Sequence, residues 1–205
     1  MDICVHLTSG MKYLFKQEDE VPVNAMFQSF HPMSLYSRSE IVIQGAASTR
    51  GFPSDSVECI EFITDMAVGW QFRPGLENLV ALSEETYKKR EDVICKKVED
   101  MRKLQKPGEK INGLAEFVMK SRKKILFEYI AVTKAWIDQI VMVQHFMRTP
   151  AVFAKREEGG YLLVHTKNVD HWVLVPGPTA VPRLVWSAEL SEGQEAPGAC
   201  QVVCE

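Results

Sequence analysis

Cys59 and His171 are the two residues best suited by type to form a thiol–imidazole nucleophile pair. The spacing predicts a short helix over 57–68. Asp55 and Glu58 give an entry signal, and Val57, Ile60, Ile63 and Ala67 share a helical face. A thiol near a helix start is acidified by backbone N–H groups and by the helix dipole. His171 opens a strand in Asp170-His171-Trp172-Val173, where it would act as the base. The competing account is a small buried Cys and a strand-end His. It is favoured, because no third residue stands out to orient the imidazole.

The order Cys then His resembles that of papain-like cysteine hydrolases, over two short patches only. That resemblance implies Cys59 as nucleophile and His171 as general base. Two other chemistries carry less. His6-Leu7-Thr8 fits one copy of a paired His-x-Thr phosphoesterase motif, without its second copy. Cys4, His6, Cys200 and Cys204 would make a zinc set only if the termini met, and they lack the usual close Cys pairs. No metal site and no cofactor is therefore expected.

The stronger signal is positive charge. Residues 88–124 hold 13 Lys or Arg against 6 Asp or Glu, a balance of +7 inside a chain whose net charge is −3. Lys120, Arg122, Lys123 and Lys124 cluster within a few residues. Folded as an antiparallel helical hairpin, the chain would bring Lys89, Arg90, Lys96 and Lys97 beside them. One anion-binding patch results, with nucleic acid favoured over a membrane surface as partner. The competing account is an ordinary solvated helix face.

The elements that must position these residues follow from periodicity. Ile3–Leu7 and Lys12–Phe15 read as a hairpin, and Glu40–Gln44 as a strand. Residues 17–39 and 46–53 read as loops. Leu76, Val80, Tyr87, Ile94, Val98 and Met101 form a helical stripe, flanked by Glu84/Lys88, Glu85/Lys89, Asp92/Lys96 and Glu99/Lys103 at i,i+4. Pro107-Gly108 ends that helix. A second is expected from Ile111 to Arg148, striped by Leu114, Val118, Ile125, Tyr129, Val132, Trp136, Ile140, Val143 and Met147. At ~1.5 Å per residue it would span about 55 Å, longer than a compact domain allows, which predicts a dimer along the hairpin seam. Residues 151–154, 161–165 and 171–175 return as strands, and 184–186 read as one more.

The expected fold is therefore α+β, with N- and C-terminal antiparallel strands packed on a central helical hairpin. It forms one domain over 1–190, the hairpin spanning 76–148, with an acidic mobile tail over 191–205. The run 125–147 carries Glu128, Lys134 and Asp138, too many charges for a simple transmembrane helix. Five scattered cysteines, no Asn-x-Ser/Thr site and no signal-peptide pattern predict a reducing, cytoplasmic setting with core or free thiols. The leading functional expectation is a non-enzymatic oligomeric assembly or adaptor protein with a basic surface for nucleic acid. A viral structural or accessory protein fits that description. The alternatives are the cysteine hydrolase and a module that binds an acidic protein surface.

Overall fold

The computed structural model describes residues 1–29, 31–45, 47–72, 74–97, 108, 110–132 and 144–177. In chain order its elements are β1 (Asp2–Leu7), β2 (Lys12–Lys16), α1 (Glu20–Ser29), α2 (Pro32–Leu35), β3 (Glu40–Gln44), β4 (Thr49–Pro53), β5 (Val57–Ile63), β6 (Leu76–Leu82), α3 (Glu84–Cys95), β7 (Lys110–Met119), β8 (Lys124–Val132), β9 (Ala151–Arg156), β10 (Tyr161–His165) and β11 (Val169–Val175). Nine strands form one sheet in the order β11-β7-β8-β6-β9-β10-β5-β1-β2, and β3 pairs with β4 separately. Neighbours are antiparallel except β6 and β9, which run parallel.

The helical hairpin is not there. Residues 110–132 form the antiparallel pair β7–β8, with Leu114 opposite Glu128 and Phe117 opposite Ile125. A spacing of four residues returns a side chain to one face of a helix, and it does the same on a strand. Leu114/Val118 and Ile125/Tyr129 therefore fit both periods. The usual alternation that would separate them is hidden, because residues 113–119 of β7 are all buried. Leu76 and Val80 likewise belong to β6. Among the described residues, the first predicted helix is represented by α3. Ser83 caps it by accepting from the Thr86 N–H, and Lys88–Glu84 (2.8 Å) and Lys89–Glu85 (2.6 Å) pair as their spacing predicts. Val98, Met101, Trp136, Ile140, Val143, the strand at 184–186 and the tail at 191–205 lie outside the described residues.

Two further corrections bear on the site. Where a helix was predicted over 57–68, residues 57–63 form β5, buried on both faces, with Cys59 and Glu61 on one and Ile60 and Phe62 on the other. The loop predicted over 17–39 contains α1, which tolerates Pro22 because the first helical turn needs no N–H there. Asp19 accepts from the Val21 N–H and starts it. Strands β1, β2, β3, β9, β10 and β11 match their expected places, whereas β4 falls where a loop was expected. Among the described residues no helix is long and apolar enough to cross a membrane. The inference of a dimer rested on the length of a helix that does not form, and it lapses with that helix.

The sheet curls, and the curl makes the site. The β7–β8 turn reaches Glu58 at the start of β5, where Ser121 donates from its N–H (2.7 Å) and its hydroxyl (2.6 Å) to the Glu58 carboxyl oxygens. In a flat sheet β8 and β5 would stand four strand spacings apart, about 19 Å. Closing that gap wraps the sheet around an apolar interior that includes Phe117, Phe127, Tyr129, Leu79, Ala154 and Val164. Outside the curl, α1 and the β3–β4 hairpin cover Val5, Ile60, Phe62 and Leu163. On the opposite outer side α3 places Tyr87 on Leu114, Leu126 and Val175.

His165, at the end of β10, should make stability pH-dependent. It is fully buried, stacked on Tyr36 at 4.4 Å, with Nδ1 3.1 Å from the Val57 carbonyl oxygen. Its Nε2 has no hydrogen-bond partner among the described residues. Burial disfavours the imidazolium and holds the imidazole below its usual range. A histidine depressed in the folded state contributes stability that is complete above its unfolded value, about 6.5, and is lost as pH falls below it. Urea midpoints should therefore drop between pH 7.5 and pH 5. His165→Gln should drop less over that interval, and an equal fall in both proteins would remove His165 as the cause.

Candidate functional site

His6 on β1 and Cys59 on β5 are directly opposed in the antiparallel register, and Cys4 is opposed to Glu61. Alternation along each strand then puts Cys4, His6, Cys59 and Glu61 on one face, inside the curl. A donor atom from each of His6, Cys59 and Glu61 lies within 4.8 Å of the other two. His6 Nε2 is 2.7 Å from Glu61 Oε1, and the Cys4 sulfur is 3.3 Å from the same Nε2.

Lys123 enters this cluster from the β7–β8 turn. Its Nζ lies 3.2 Å from His6 Nδ1, 3.5 Å from Cys59 Sγ and 3.2 Å from Glu61 Oε1. The turn that delivers it is fixed on three sides. Arg122 takes a positive φ of 72°, Ser121 is fastened to buried Glu58, and Lys120 donates to Asn168 Oδ1 at 3.1 Å. Arg156, from β9, approaches the other Glu61 oxygen at 3.6 Å. His6 thus faces both charges, with Nε2 against the Glu61 carboxylate and Lys123 Nζ about equally far from Nδ1 (3.2 Å) and Nε2 (3.3 Å).

Electrostatics separates the three donors. Burial pushes the Cys59 thiol up to about 12, against the Lys123 ammonium, which pulls it down. Burial also raises Glu61, but the hydrogen bond from His6 and the Lys123 charge outweigh it and hold the carboxyl near 2. Glu61 is thus an anion and Cys59 a neutral thiol. A cleft of about 170 Å³ opens beside the cluster, bordered by Glu61, Lys123 and Arg156 but not by Cys59.

The residues expected to do chemistry are not those brought together. His171 stands half-exposed on the edge strand β11 and pairs with its neighbour Asp170 at 3.1 Å, whereas the imidazole beside Cys59 belongs to His6. Cys59 sits mid-strand and has no helix start to acidify it. For zinc, His6 joins Cys59 and Glu61, not the set with Cys200 and Cys204, both of which lie outside the described residues. Cys95 is disulfide-bonded, in contrast to the free thiol expected, while Cys4 and Cys59 are free. The basic residues do not assemble on a helical surface. Lys89 and Arg90 lie on α3 and pair with Glu85 and Glu128, and Lys96 and Lys97 follow its end. Lys120, Arg122 and Lys123 belong to a strand turn, with Arg122 near Asp170 (3.4 Å), and Lys124 opens β8 beside Glu116 (3.2 Å).

Glu61 is the residue that sequence reasoning missed. The signal lay in Cys4-x-His6 and Cys59-x-Glu61, two pairs with the two-residue spacing that shares a strand face. No protein-family model, curated protein or solved structure matches the chain.

Proposed function

We propose that the chain is a metal-dependent enzyme of hydrolytic type, with one divalent cation of the zinc class held by His6, Cys59 and Glu61. The observation that carries this reading is the position of Lys123. Its ammonium nitrogen lies 3.2–3.5 Å from a nitrogen, a sulfur and an oxygen that converge from two strands. A cation already occupies the centre of the donor set, tethered to the chain. Imidazole, thiolate and carboxylate together suit Zn²⁺ rather than Mg²⁺ or Ca²⁺, which take oxygen ligands. Tetrahedral coordination at 2.0–2.3 Å needs donors about 3.3–3.7 Å apart, so the three side chains must shift by roughly 1 Å. The metal would ionise the thiol that burial keeps neutral. Of the three ligands Glu61 borders the open cleft, and a fourth position turned toward it would be left for water, the pattern of catalytic rather than structural zinc.

Cobalt titration tests it. Co²⁺ added to the metal-free full chain should give visible d–d bands and a near-ultraviolet thiolate-to-metal band. Cys59→Ser should abolish the near-ultraviolet band, and Glu61→Gln should weaken affinity on the order of 10–100-fold or more. Lys123→Met should tighten binding, because it removes the competing cation. A parent protein that takes up neither Co²⁺ nor Zn²⁺ at micromolar concentration ends the reading, and the cluster is then a buried ion network completed by Lys123.

A second reading follows from the opposed pair His6 and Cys59 with Glu61 behind the imidazole. That is the order of groups in a thiol hydrolase, with His6 in the place expected of His171. It needs an accessible thiolate. Cys59 is fully buried and its thiol is raised, which favours the metal reading. A nucleic-acid adaptor built on a helical hairpin has lost its platform.

A further inference from the structure

Six charged side chains border the cleft beside the cluster: Lys123, Lys124, Arg156, Glu61, Glu157 and Glu158. Two of the acids face other tasks. Glu157 accepts from the Ser83 N–H (3.0 Å) and the Thr86 hydroxyl (2.8 Å) at the start of α3. Glu158 is exposed and reaches Arg156 at 3.4 Å. Lys124 is drawn away toward Glu116. The inner charges that remain are Lys123 and Arg156, both turned on Glu61.

A metal ion at the donor set would change that balance. Glu61 would spend its charge on the metal, and the Lys123 ammonium would be displaced toward the cleft that its stem already lines. Lys123 and the largely buried Arg156 guanidinium would then face the cleft without Glu61, Arg156 keeping only the exposed Glu158. Resting on the metal reading, we propose that metal loading turns this cleft into a subsite for a phosphoryl group of the substrate, gripped by Arg156 and Lys123. The planar fork of Arg matches two phosphate oxygens, and the Lys ammonium supplies a movable point charge. A dianion answers two cations released from Glu61 better than a carboxylate monoanion does.

Calorimetric titration of the full chain with inorganic phosphate, metal-free and Co²⁺-loaded, decides the matter. Phosphate should bind the loaded protein at least tenfold more tightly than the metal-free protein, and more tightly than acetate does. Arg156→Gln should lose that gain while keeping the Co²⁺ spectrum, and Arg156→Lys should keep part of it. If the Co²⁺ bands form but phosphate affinity is unchanged, the subsite is overturned and the metal reading stands. Equal binding by Arg156→Gln and parent would place phosphate on the metal itself and also overturn the subsite. Equal affinities for phosphate and acetate would overturn the phosphoryl assignment. If no Co²⁺ bands form, the metal reading fails first and takes the subsite with it.

Discussion

Cys59 in the metal-free protein should react with iodoacetamide about a thousandfold more slowly at pH 8 than the same cysteine in the unfolded chain. Only the thiolate attacks, and an ordinary thiol with a value of 9.0 is about one-tenth ionised at that pH. Held at about 12, Cys59 is ionised to roughly one part in ten thousand. Its full burial adds a steric barrier on top of that factor. The rate, followed on the Cys59 peptide by mass spectrometry, should rise tenfold per pH unit from 7 to 9 without levelling. A catalytic thiolate would behave in the opposite way, reacting fast at pH 7 and reaching a plateau below it. That outcome would replace the metal reading with the thiol hydrolase. Cys4, also buried and also raised by burial, provides an internal comparison in which Lys12 rather than Lys123 is the ammonium at the sulfur.

The contrast between these outcomes shows what could and could not be read from the chain. Cys59 stood out as a reactive type, and Lys123 as a cation short of local acids, yet each was assigned to a different function. Their meeting depends on the curl of a nine-stranded sheet, set by Ser121 on Glu58 across about 63 residues of sequence. Strand pairing at that separation leaves no local periodic trace. The strands themselves were legible where one face meets solvent or a turn punctuates them, as in β1–β2 and β9–β11. They were misread where both faces are buried, as in β5 and β7, because alternation vanishes there and i,i+4 spacing imitates a helix. The polar run Lys120-Ser121-Arg122-Lys123 between two apolar segments was the available hairpin signal. Its four charged or polar residues were taken for a helix face, although Arg122 sits at positive φ, a conformation a helix cannot contain. His6 was reached by two weak motifs, and only the register with β5 showed which partners it has.

Gly160→Ala should cost more than ~4 kcal/mol and leave little folded protein, while Gly159→Ala should cost only about 1–2 kcal/mol. Both glycines take positive φ in the β9–β10 turn, 98° at Gly159 and 84° at Gly160, so both substitutions carry the same backbone strain. Space separates them. A Cβ at Gly159 would meet nothing nearer than the Asp65 carboxylate at 4.0 Å. A Cβ at Gly160 would lie 2.0 Å from the Phe62 carbonyl oxygen and 3.1 Å from the Thr64 N. Those are backbone atoms of β5 and its exit, and they cannot swing aside as a flexible side chain could. To relieve the clash, β10 must part from β5, where Tyr161 faces Phe62 in register. The same turn also presents Arg156, whose N–H donates to the Gly160 carbonyl oxygen (3.0 Å) and whose guanidinium donates to the Gly159 carbonyl oxygen (3.2 Å). Loss at Gly160 thus propagates in two directions, into the sheet and into the cleft. Urea denaturation of both variants tests the claim. Similar midpoints would mean that β5 and β10 yield at little cost, and the closeness of their backbones would then not be what holds Arg156 against Glu61.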